Sequence, residues 1–335
     1  MIYREDEQCS KEGKALYLDG IEGLIKKRES EARERRREYA RDIFSRPDSY
    51  RRDLCEMLGW PLVGEPRKGA PRVSKTLLSE ESGYNIYRMQ IEVLDTLTLS
   101  GLYFEMTGEG KRPLVLVQHG GRGTPEAISG VYGTTTNYNG MLERVIAYGT
   151  HAFAPQLLLW DKKYEVEFDR QNIDARLKRV GGSVTALEVY SLERTLDYFE
   201  TLENVSCFGM VGLSYGGFYT LMLSAIDERI RSAISCAFFN TRDSYPWNDW
   251  CWFGAAERFD DAEIAALVYP RRLCIELGRD DPLFSFPGGE SSYERLLEMS
   301  REVGTDWLDF VPFDGNHEFC KFDEPIARLV KDLGM

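Results

Sequence analysis

CFGMVGLSYGGFYTLMLSAI, residues 207–226, joins an apolar run typical of a strand to an apolar run typical of a helix through a glycine-rich turn around Ser214. Glycines on both sides of a serine let a strand turn sharply into a helix, which exposes the hydroxyl above a sheet. The turn also places the Tyr215 backbone N–H at a helix N-terminus, where donors and dipole stabilise negative charge on an attacked carbonyl oxygen. The stretch predicts a nucleophile at Ser214 and an oxyanion donor at Tyr215. An ordinary serine in a glycine-rich turn is the alternative.

A nucleophilic serine needs a base, and the chain contains three histidines. His119 directly follows the apolar run PLVLVQ, and His151 lies inside another apolar run. His317 falls in the loop DGNHEF between the last predicted strand and the closing helix, beyond the carboxyl ends of the strands, where ligands of open α/β sheets bind. His317 is therefore the predicted base, with a surface loop histidine as the alternative.

The third catalytic group must hold the imidazole in its useful tautomer and stabilise its charged form. Asp281 is the predicted acid because it lies just past the apolar run RLCIELG, in the turn RDDPLF. Asp280 is a close competitor and Glu276 a distant one. The chain order Ser214, Asp281, His317 is the order found in α/β hydrolases.

A second oxyanion donor is predicted in the sequence His119-Gly120-Gly121. Glycines at such a place let the backbone approach a substrate closely and direct an N–H toward it. Gly121 is the favoured donor, although Gly120 stays open. His119 is assigned either a structural position or one that contacts substrate.

Short apolar runs alternate with amphipathic stretches from residue 113 onward, which is typical of a parallel sheet covered by helices on both faces. Three earlier stretches rich in β-branched and aromatic residues predict antiparallel strands within residues 71–107. The parallel strands are predicted in six runs: 113–118, 150–155, 207–212, 230–238, 272–278 and 307–313.

The N-terminal part of the chain lacks strand periodicity and carries good helix formers, so residues 14–60 predict two or three helices. We divide the chain into an N-terminal helical extension, 1–70, and a catalytic domain, 71–335. The fold class is therefore α/β, with a mostly parallel central sheet and helices on both faces.

Residues 238–254, FFNTRDSYPWNDWCWFG, concentrate aromatic and polar side chains after a predicted core strand. Flat aromatic faces beside hydrogen-bonding groups suit a sugar or an aromatic acyl group. Trp250 and Trp252 are the predicted substrate contacts, together with His119. Residues 238–266 are expected to form an aromatic cap or insertion. The alternative to substrate contact is that the cap packs its aromatic side chains into its own small core. A second insertion, 157–182, is expected to form a wall of the pocket.

The formal net charge of −13 argues against nucleic acid as a partner because it repels phosphate. Residues 26–52 are locally basic, but interleaved acidic residues favour i,i+4 pairing on a solvated helix over a nucleic-acid or partner surface. We expect no membrane span and, from the hydrophilic N-terminus, a cytoplasmic protein. The seven scattered cysteines predict neither a disulfide framework nor a zinc site. No metal or organic cofactor is expected.

Residues 72–335 resemble the dienelactone hydrolase and acetyl xylan esterase-like group of α/β hydrolases. The resemblance rests on GLSYGG at the nucleophile, on GRDDPL as the acid turn, which selects Asp281, on GNHEF as the base loop, and on 181–200 as the helix before the nucleophile strand. GLSYGGFYTLM is also similar to the catalytic domain of prolyl oligopeptidase-type peptidases. Dienelactone hydrolases carry a nucleophilic cysteine where this chain has Ser214. The residues before the first parallel strand are too few for the peptidases' propeller, whose blades need about 40–50 residues each.

The resemblance implies a serine hydrolase that acts on a carboxylic ester, with an acylated sugar or a related small ester as substrate. A peptidase or amidase that uses the same residues is the alternative, and a non-catalytic binding module on the same fold is another. Association of copies through the N-terminal helices is a further expectation.

Overall fold

The computed structural model describes residues 2–159, 167–245 and 247–335. Within these ranges nine strands form one sheet. They are β1 Val73–Glu81, β2 Tyr84–Leu94, β3 Leu97–Met106, β4 Arg112–Gln118, β5 His151–Pro155, β6 Val205–Leu213, β7 Ile230–Cys236, β8 Arg272–Gly278 and β9 Leu308–Phe313. Their order across the sheet is β1-β2-β3-β5-β4-β6-β7-β8-β9.

The sheet is antiparallel at one edge and parallel elsewhere, as the sequence predicts. β1 to β3 form a meander, and β3 pairs antiparallel with β5. From β5 to β9 every neighbouring pair is parallel. The central strands are buried almost throughout, which explains why they read as continuous apolar runs rather than as alternating ones. All six predicted parallel strands are present.

Helices cover both faces of the sheet. They are α1 Glu7–Tyr39, α2 Pro47–Leu58, α3 Pro125–Ile128, α4 Met141–Ile146, α5 Arg170–Lys178, α6 Val184–Phe199, α7 Tyr215–Ile226, α8 Asp261–Ala266, α9 Phe286–Met299 and α10 Glu324–Asp332. α2, α6, α7, α8 and α9 contribute to the core on one face, and α3, α4 and α10 to the core on the other. Ser183 caps α6 by accepting the Ala186 N–H.

The predicted N-terminal helical extension is present as α1 and α2, joined by a short 3-10 turn. The C-terminal half of α1 packs on the chain near α8, where Arg36 forms ion pairs with Asp260 at 3.1 Å and Glu263 at 3.3 Å. The basic stretch pairs partly with its own acidic residues, as Lys27 does with Glu31, and partly with distant ones, as Arg33 does with Asp243 and Arg35 with Glu257. None of the helices in the described ranges is both long enough and apolar enough to cross a membrane.

Candidate active site

Ser214 occupies a strained turn between β6 and α7. Its backbone has φ 62° and ψ −121°, a left-handed conformation that residues with a Cβ rarely adopt. The Ser214 N–H donates to the Cys236 carbonyl at 2.8 Å, which ties the turn to the end of β7. Gly216 is needed because a Cβ there would lie 2.1 Å from the Gln118 carbonyl oxygen. The close approach of β4 therefore explains the glycine that follows the serine in this motif.

The residues predicted as acid and base, Asp281 and His317, lie in direct contact. The His317 Nδ1 lies 2.8 Å from Asp281 Oδ2. Oδ1 of the same carboxylate accepts the N–H groups of Leu283 at 2.8 Å and Phe284 at 3.0 Å, which fixes its orientation. Asp280 is exposed instead, so the buried Asp281 is the carboxylate that holds the imidazole. With Nδ1–H donating to it, the neutral imidazole keeps Nε2 as a proton acceptor.

Cys236 connects the serine turn to the histidine loop. Its carbonyl accepts the Ser214 N–H, and its thiol donates to the carbonyl of Glu318, next to His317, at 3.4 Å. Asn137 fixes the same loop from the other side, since its Nδ2 donates to the His317 carbonyl at 3.0 Å. No hydrogen bond joins Ser214 to His317 among the described residues. The turn and the loop therefore meet at one edge of the sheet, with the hydroxyl not yet bonded to the imidazole.

The predicted oxyanion loop contacts the nucleophile turn. A Cβ on Gly120 would lie 3.2 Å from Ser214 Cβ, so glycine permits this approach. The Gly120 N–H already donates to the Tyr138 hydroxyl at 2.9 Å, which leaves Gly121 as the better-placed glycine to supply a second donor. The oxyanion roles of Gly121 and Tyr215 stay predictions.

His119 is completely buried beneath this loop. Its Nε2 accepts the Leu157 N–H at 3.2 Å, and its Nδ1 lies 2.9 Å from the Gly120 carbonyl. The ring therefore joins the oxyanion loop to the chain that follows β5. Its predicted contact with substrate stays untested, but these bonds define a positioning role.

A buried ionic network holds Tyr215, the residue after Ser214. The Tyr215 hydroxyl donates to Asp249 Oδ2 at 2.9 Å, and Arg170 Nε donates to the same oxygen at 2.8 Å. Arg170 also pairs with Glu188 at 2.9 Å, while the Tyr219 hydroxyl donates to Glu188. Burial and the neighbouring Asp249 raise the pKa of Tyr215 well above its ordinary value, so the phenol stays protonated and donates. The network joins the cap and α5 to the nucleophile turn.

The aromatic side chains of the cap form a packed cluster next to the predicted catalytic residues. Trp250 is 3% exposed, with its ring 4.5 Å from that of Tyr215 and 4.7 Å from that of Phe218 between centroids. Trp252 is 8% exposed. Phe284 extends the cluster to the site, because its ring stacks on His317 at 5.8 Å. Direct substrate contact by Trp250 and Trp252 stays a prediction, and the structure places both in the packing of the cap.

The polar neighbours of these tryptophans face inward. Asn240 is completely buried and donates to the Ser285 carbonyl at 2.7 Å, and Arg242 pairs with the buried Asp261 at 2.7 Å.

Glu276 is also completely buried on β8, and burial raises its pKa to about 7. Since His317 bonds to Asp281, Glu276 is not the acid of this pair.

Three residues that shape the site were not predicted: Tyr138, Asp249 and Phe284. Asp249 lies inside the aromatic stretch, but nothing in its spacing indicates that it pairs with Arg170 and Tyr215. Phe284 belongs to the acid turn, so its position three residues after Asp281 was the one usable signal. No group of three or more His, Cys, Asp or Glu side chains in the described ranges is arranged to hold a metal ion.

The sheet order, the strained serine turn after β6, the acid after β8 and the histidine after β9 define the α/β-hydrolase fold. Solved structures with this fold include a protein described as an acetyl xylan esterase from Bacteroides fragilis. It has a TM-score of 0.65 and 15% identity over 80% of this chain and 74% of that chain.

Two further esterase structures align over most of both chains. The glucuronoyl esterase from Solibacter usitatus has a TM-score of 0.62 and 13% identity, covering 87% of this chain and 92% of its own. Acetyl xylan esterase 1 from Thermoanaerobacterium sp. has a TM-score of 0.58 and 15% identity, covering 89% and 98%. No protein-family model matches the chain, and no curated protein matches it in sequence. At these identities the likeness establishes the fold, which confirms the predicted fold class.

Proposed function

We propose that this protein is a serine hydrolase that cleaves a carboxylic ester through an acyl-enzyme at Ser214. The observation that carries the proposal is the pairing of a strained serine turn with a histidine loop whose imidazole is bonded to a buried carboxylate. A backbone conformation this costly persists where the surrounding structure enforces it, and such strain concentrates at functional sites. The buried Asp281 has the geometry expected of the group that orients a catalytic base.

In the proposed reaction the Ser214 hydroxyl attacks the ester carbonyl carbon while His317 Nε2 takes its proton. The carbonyl oxygen becomes an oxyanion and receives hydrogen bonds from the backbone N–H groups of Tyr215 and Gly121. The intermediate collapses, the C–O bond to the alcohol breaks, and the imidazolium gives its proton to the departing oxygen. Water, activated by the same imidazole, then releases the acid and restores Ser214.

Formation of the Ser214–His317 hydrogen bond is the step that substrate binding must complete. Catalytic hydrogen bonds are often long in unliganded enzymes and tighten in the substrate complex. His317 can make such an adjustment because its side chain is 17% exposed, whereas that of Asp281 is fully buried. The Asp281 carboxylate therefore stays in place, and the His317 imidazole moves to meet Ser214.

We propose an acylated carbohydrate or a related small ester as substrate. Two observations support this class: the solved structures of the same fold are described as acetyl xylan and glucuronoyl esterases, and Trp247, a partly exposed aromatic residue of the cap, stacks on Tyr215 at 5.8 Å. An aromatic face beside the nucleophile turn suits a sugar ring.

The test compares hydrolysis of p-nitrophenyl acetate, acetylated sugars and aminoacyl-arylamides by the wild type and by Ser214→Ala. We expect the esters to be hydrolysed faster than the arylamides, and the Ser214→Ala rate to fall by at least about 10³-fold, since the serine acts as a unit with the other catalytic groups. Ser206→Ala, on the same strand but away from the turn, is the matched control and should keep the wild-type rate. Undiminished turnover by Ser214→Ala would refute the assignment. Faster cleavage of arylamides would favour the peptidase alternative.

A further inference from the structure

A cavity of about 450 Å³ opens beside the oxyanion loop. Its wall is mostly apolar and includes Leu97 at the start of β3, Leu157 and Leu158 after β5, and Leu187 on α6. Leu158 is 40% exposed, so the wall is accessible from solvent. The volume falls in the range of about 300–1,000 Å³ that is usual for small-molecule sites.

The oxyanion loop forms the boundary between this cavity and the nucleophile. Gly120 contacts Ser214 on one side of the loop, and Gly123 and Thr124 line the cavity on the other. His119 fixes the boundary from below, because its Nε2 accepts the N–H of Leu157, which also lines the cavity. The cavity is therefore next to the catalytic edge of the sheet rather than on a remote surface.

The cavity and the histidine loop lie on opposite sides of the nucleophile strand β6. The strands that border the cavity, β5 and β3, follow β4 on one side of β6, whereas His317 comes from the loop after β9 on the other. With strands about 4.8 Å apart, the cavity begins within roughly 10–15 Å of β6. A substrate group six to ten atoms long can span this distance.

The position of the base decides which part of an ester enters the cavity. His317 must protonate the leaving alcohol oxygen, so the alcohol lies on the histidine side of the carbonyl carbon. The carbonyl oxygen takes the direction of the oxyanion donors. The acyl substituent therefore extends in the remaining direction, toward β4, β5 and the cavity.

We infer that this cavity is the acyl site of the enzyme and that it takes an uncharged acyl group larger than acetyl, aliphatic or aromatic. The inference rests on the proposed function. Two polar side chains of the wall are already bonded within the protein: Glu188 accepts from Arg170 and from the Leu158 N–H, and Ser191 donates to the Leu187 carbonyl. The wall therefore recognises acyl groups by apolar contact, and hydration disfavours a charged acyl group there.

The test measures kcat/KM for p-nitrophenyl acetate, butyrate and hexanoate in the wild type and in two variants that fill the cavity, Leu187→Trp and Leu97→Trp. Both side chains are only partly buried, so a larger residue can extend into the cavity. Val180→Trp is the matched control, because Val180 is 74% exposed and outside the cavity wall. We expect both cavity variants to lose at least about tenfold on hexanoate relative to acetate, since even one methylene is worth about that much in an apolar pocket. The control should keep the wild-type ratio, and thermal unfolding verifies that each variant is folded.

A second measurement separates this inference from the proposed function. Binding of p-nitrophenyl hexanoate and p-nitrophenyl acetate to Ser214→Ala is followed by calorimetry, with and without Leu187→Trp. We expect hexanoate to bind at least about tenfold more tightly and to lose that advantage in the double variant. If the wild type hydrolyses neither ester, the proposed function fails and the binding result alone decides about the cavity. Equal binding of both esters, or equal losses on hexanoate and acetate in folded cavity variants, would overturn the acyl assignment.

Discussion

His317 Nδ1 lies 2.8 Å from Oδ2 of Asp281, and the other oxygen of that carboxylate is held by two backbone N–H groups of its own turn. The carboxylate is thus oriented by the chain before it meets the imidazole. This arrangement fixes which ring nitrogen of the neutral imidazole carries the proton and which one can accept a proton. The neighbouring Asp280 is exposed and takes no part in the bond.

Asp281→Asn is expected to lower kcat by about 10³–10⁴-fold, because an amide favours the wrong imidazole tautomer while leaving the side-chain shape intact. The measurement is steady-state hydrolysis of p-nitrophenyl acetate. Asp280→Asn, the matched control, should stay within about twofold of the wild type, since exposed charges have weak effects. Equal losses in the two variants would contradict the assignment of the acid.

Tyr215→Phe is expected to destabilise the protein by about 1.5–3 kcal/mol, because it removes a buried hydrogen bond to the charged Asp249. It should also lower kcat more than it raises KM, since the affected residue supplies a proposed oxyanion donor. Urea unfolding and steady-state kinetics measure the two effects. Tyr148→Phe, at a side chain that is 39% exposed, should change neither quantity. A Tyr215→Phe variant with wild-type stability would show that the bond contributes nothing.

Gly216→Ala is expected to destabilise the fold by several kcal/mol, beyond the 1–3 kcal/mol or so of ordinary overpacking, because the added Cβ would lie 2.1 Å from a backbone oxygen. Gly13→Ala is the matched control within helix α1. Nothing lies within 4 Å of its added Cβ, so alanine should leave stability unchanged or raise it by up to about 1 kcal/mol. Denaturant unfolding distinguishes the two. A Gly216→Ala variant as stable as the wild type would mean that β4 and α7 are not so close.

Glu276 is expected to make the stability of the fold depend on pH. Burial raises its pKa in the folded protein to about 7, above its ordinary value of 4.5. Between these values the unfolded chain releases the proton and the folded one keeps it, so this residue makes stability fall as pH rises from about 4.5 to 7. Glu276→Gln should remove this contribution to the pH dependence of stability. The unfolding free energies of wild type and variant are measured at pH 4.5 and 7.5, and the difference between them should change over that range. A difference that stays constant over this range would show that Glu276 titrates normally.

The parts of the molecule that the sequence predicted correctly are those encoded locally. The parallel strands are recognisable because burial on both faces produces unbroken apolar runs, and the serine turn because close backbone approach requires glycine on both sides. Asp281 and His317 were expected at one place because both follow strands and parallel strands end at the same edge of the sheet. The structure brings these two side chains together, and their roles as acid and base stay predictions.

The features of the site that the sequence did not predict depend on contacts between side chains far apart in the chain. Such contacts leave no periodic pattern in the sequence. The bond between Tyr215 and Asp249, with Arg170 on the same oxygen, joins three segments that only the fold brings together. For the same reason the polar neighbours of the cap tryptophans could be expected at a binding surface, whereas Asn240 and Arg242 are internal. In sequence, a polar residue within an aromatic stretch looks the same whether it lies at a binding surface or in the interior.

Covalent labelling with a fluorophosphonate, followed by peptide mass spectrometry, tests most directly whether Ser214 is a nucleophile activated by His317. A single adduct on the peptide that contains Ser214 is predicted for the wild type, with no adduct in Ser214→Ala and a labelling rate reduced by at least about 10³-fold in His317→Ala, which lacks the base. An adduct on another residue, or labelling of Ser214 that proceeds equally fast without His317, would contradict this role.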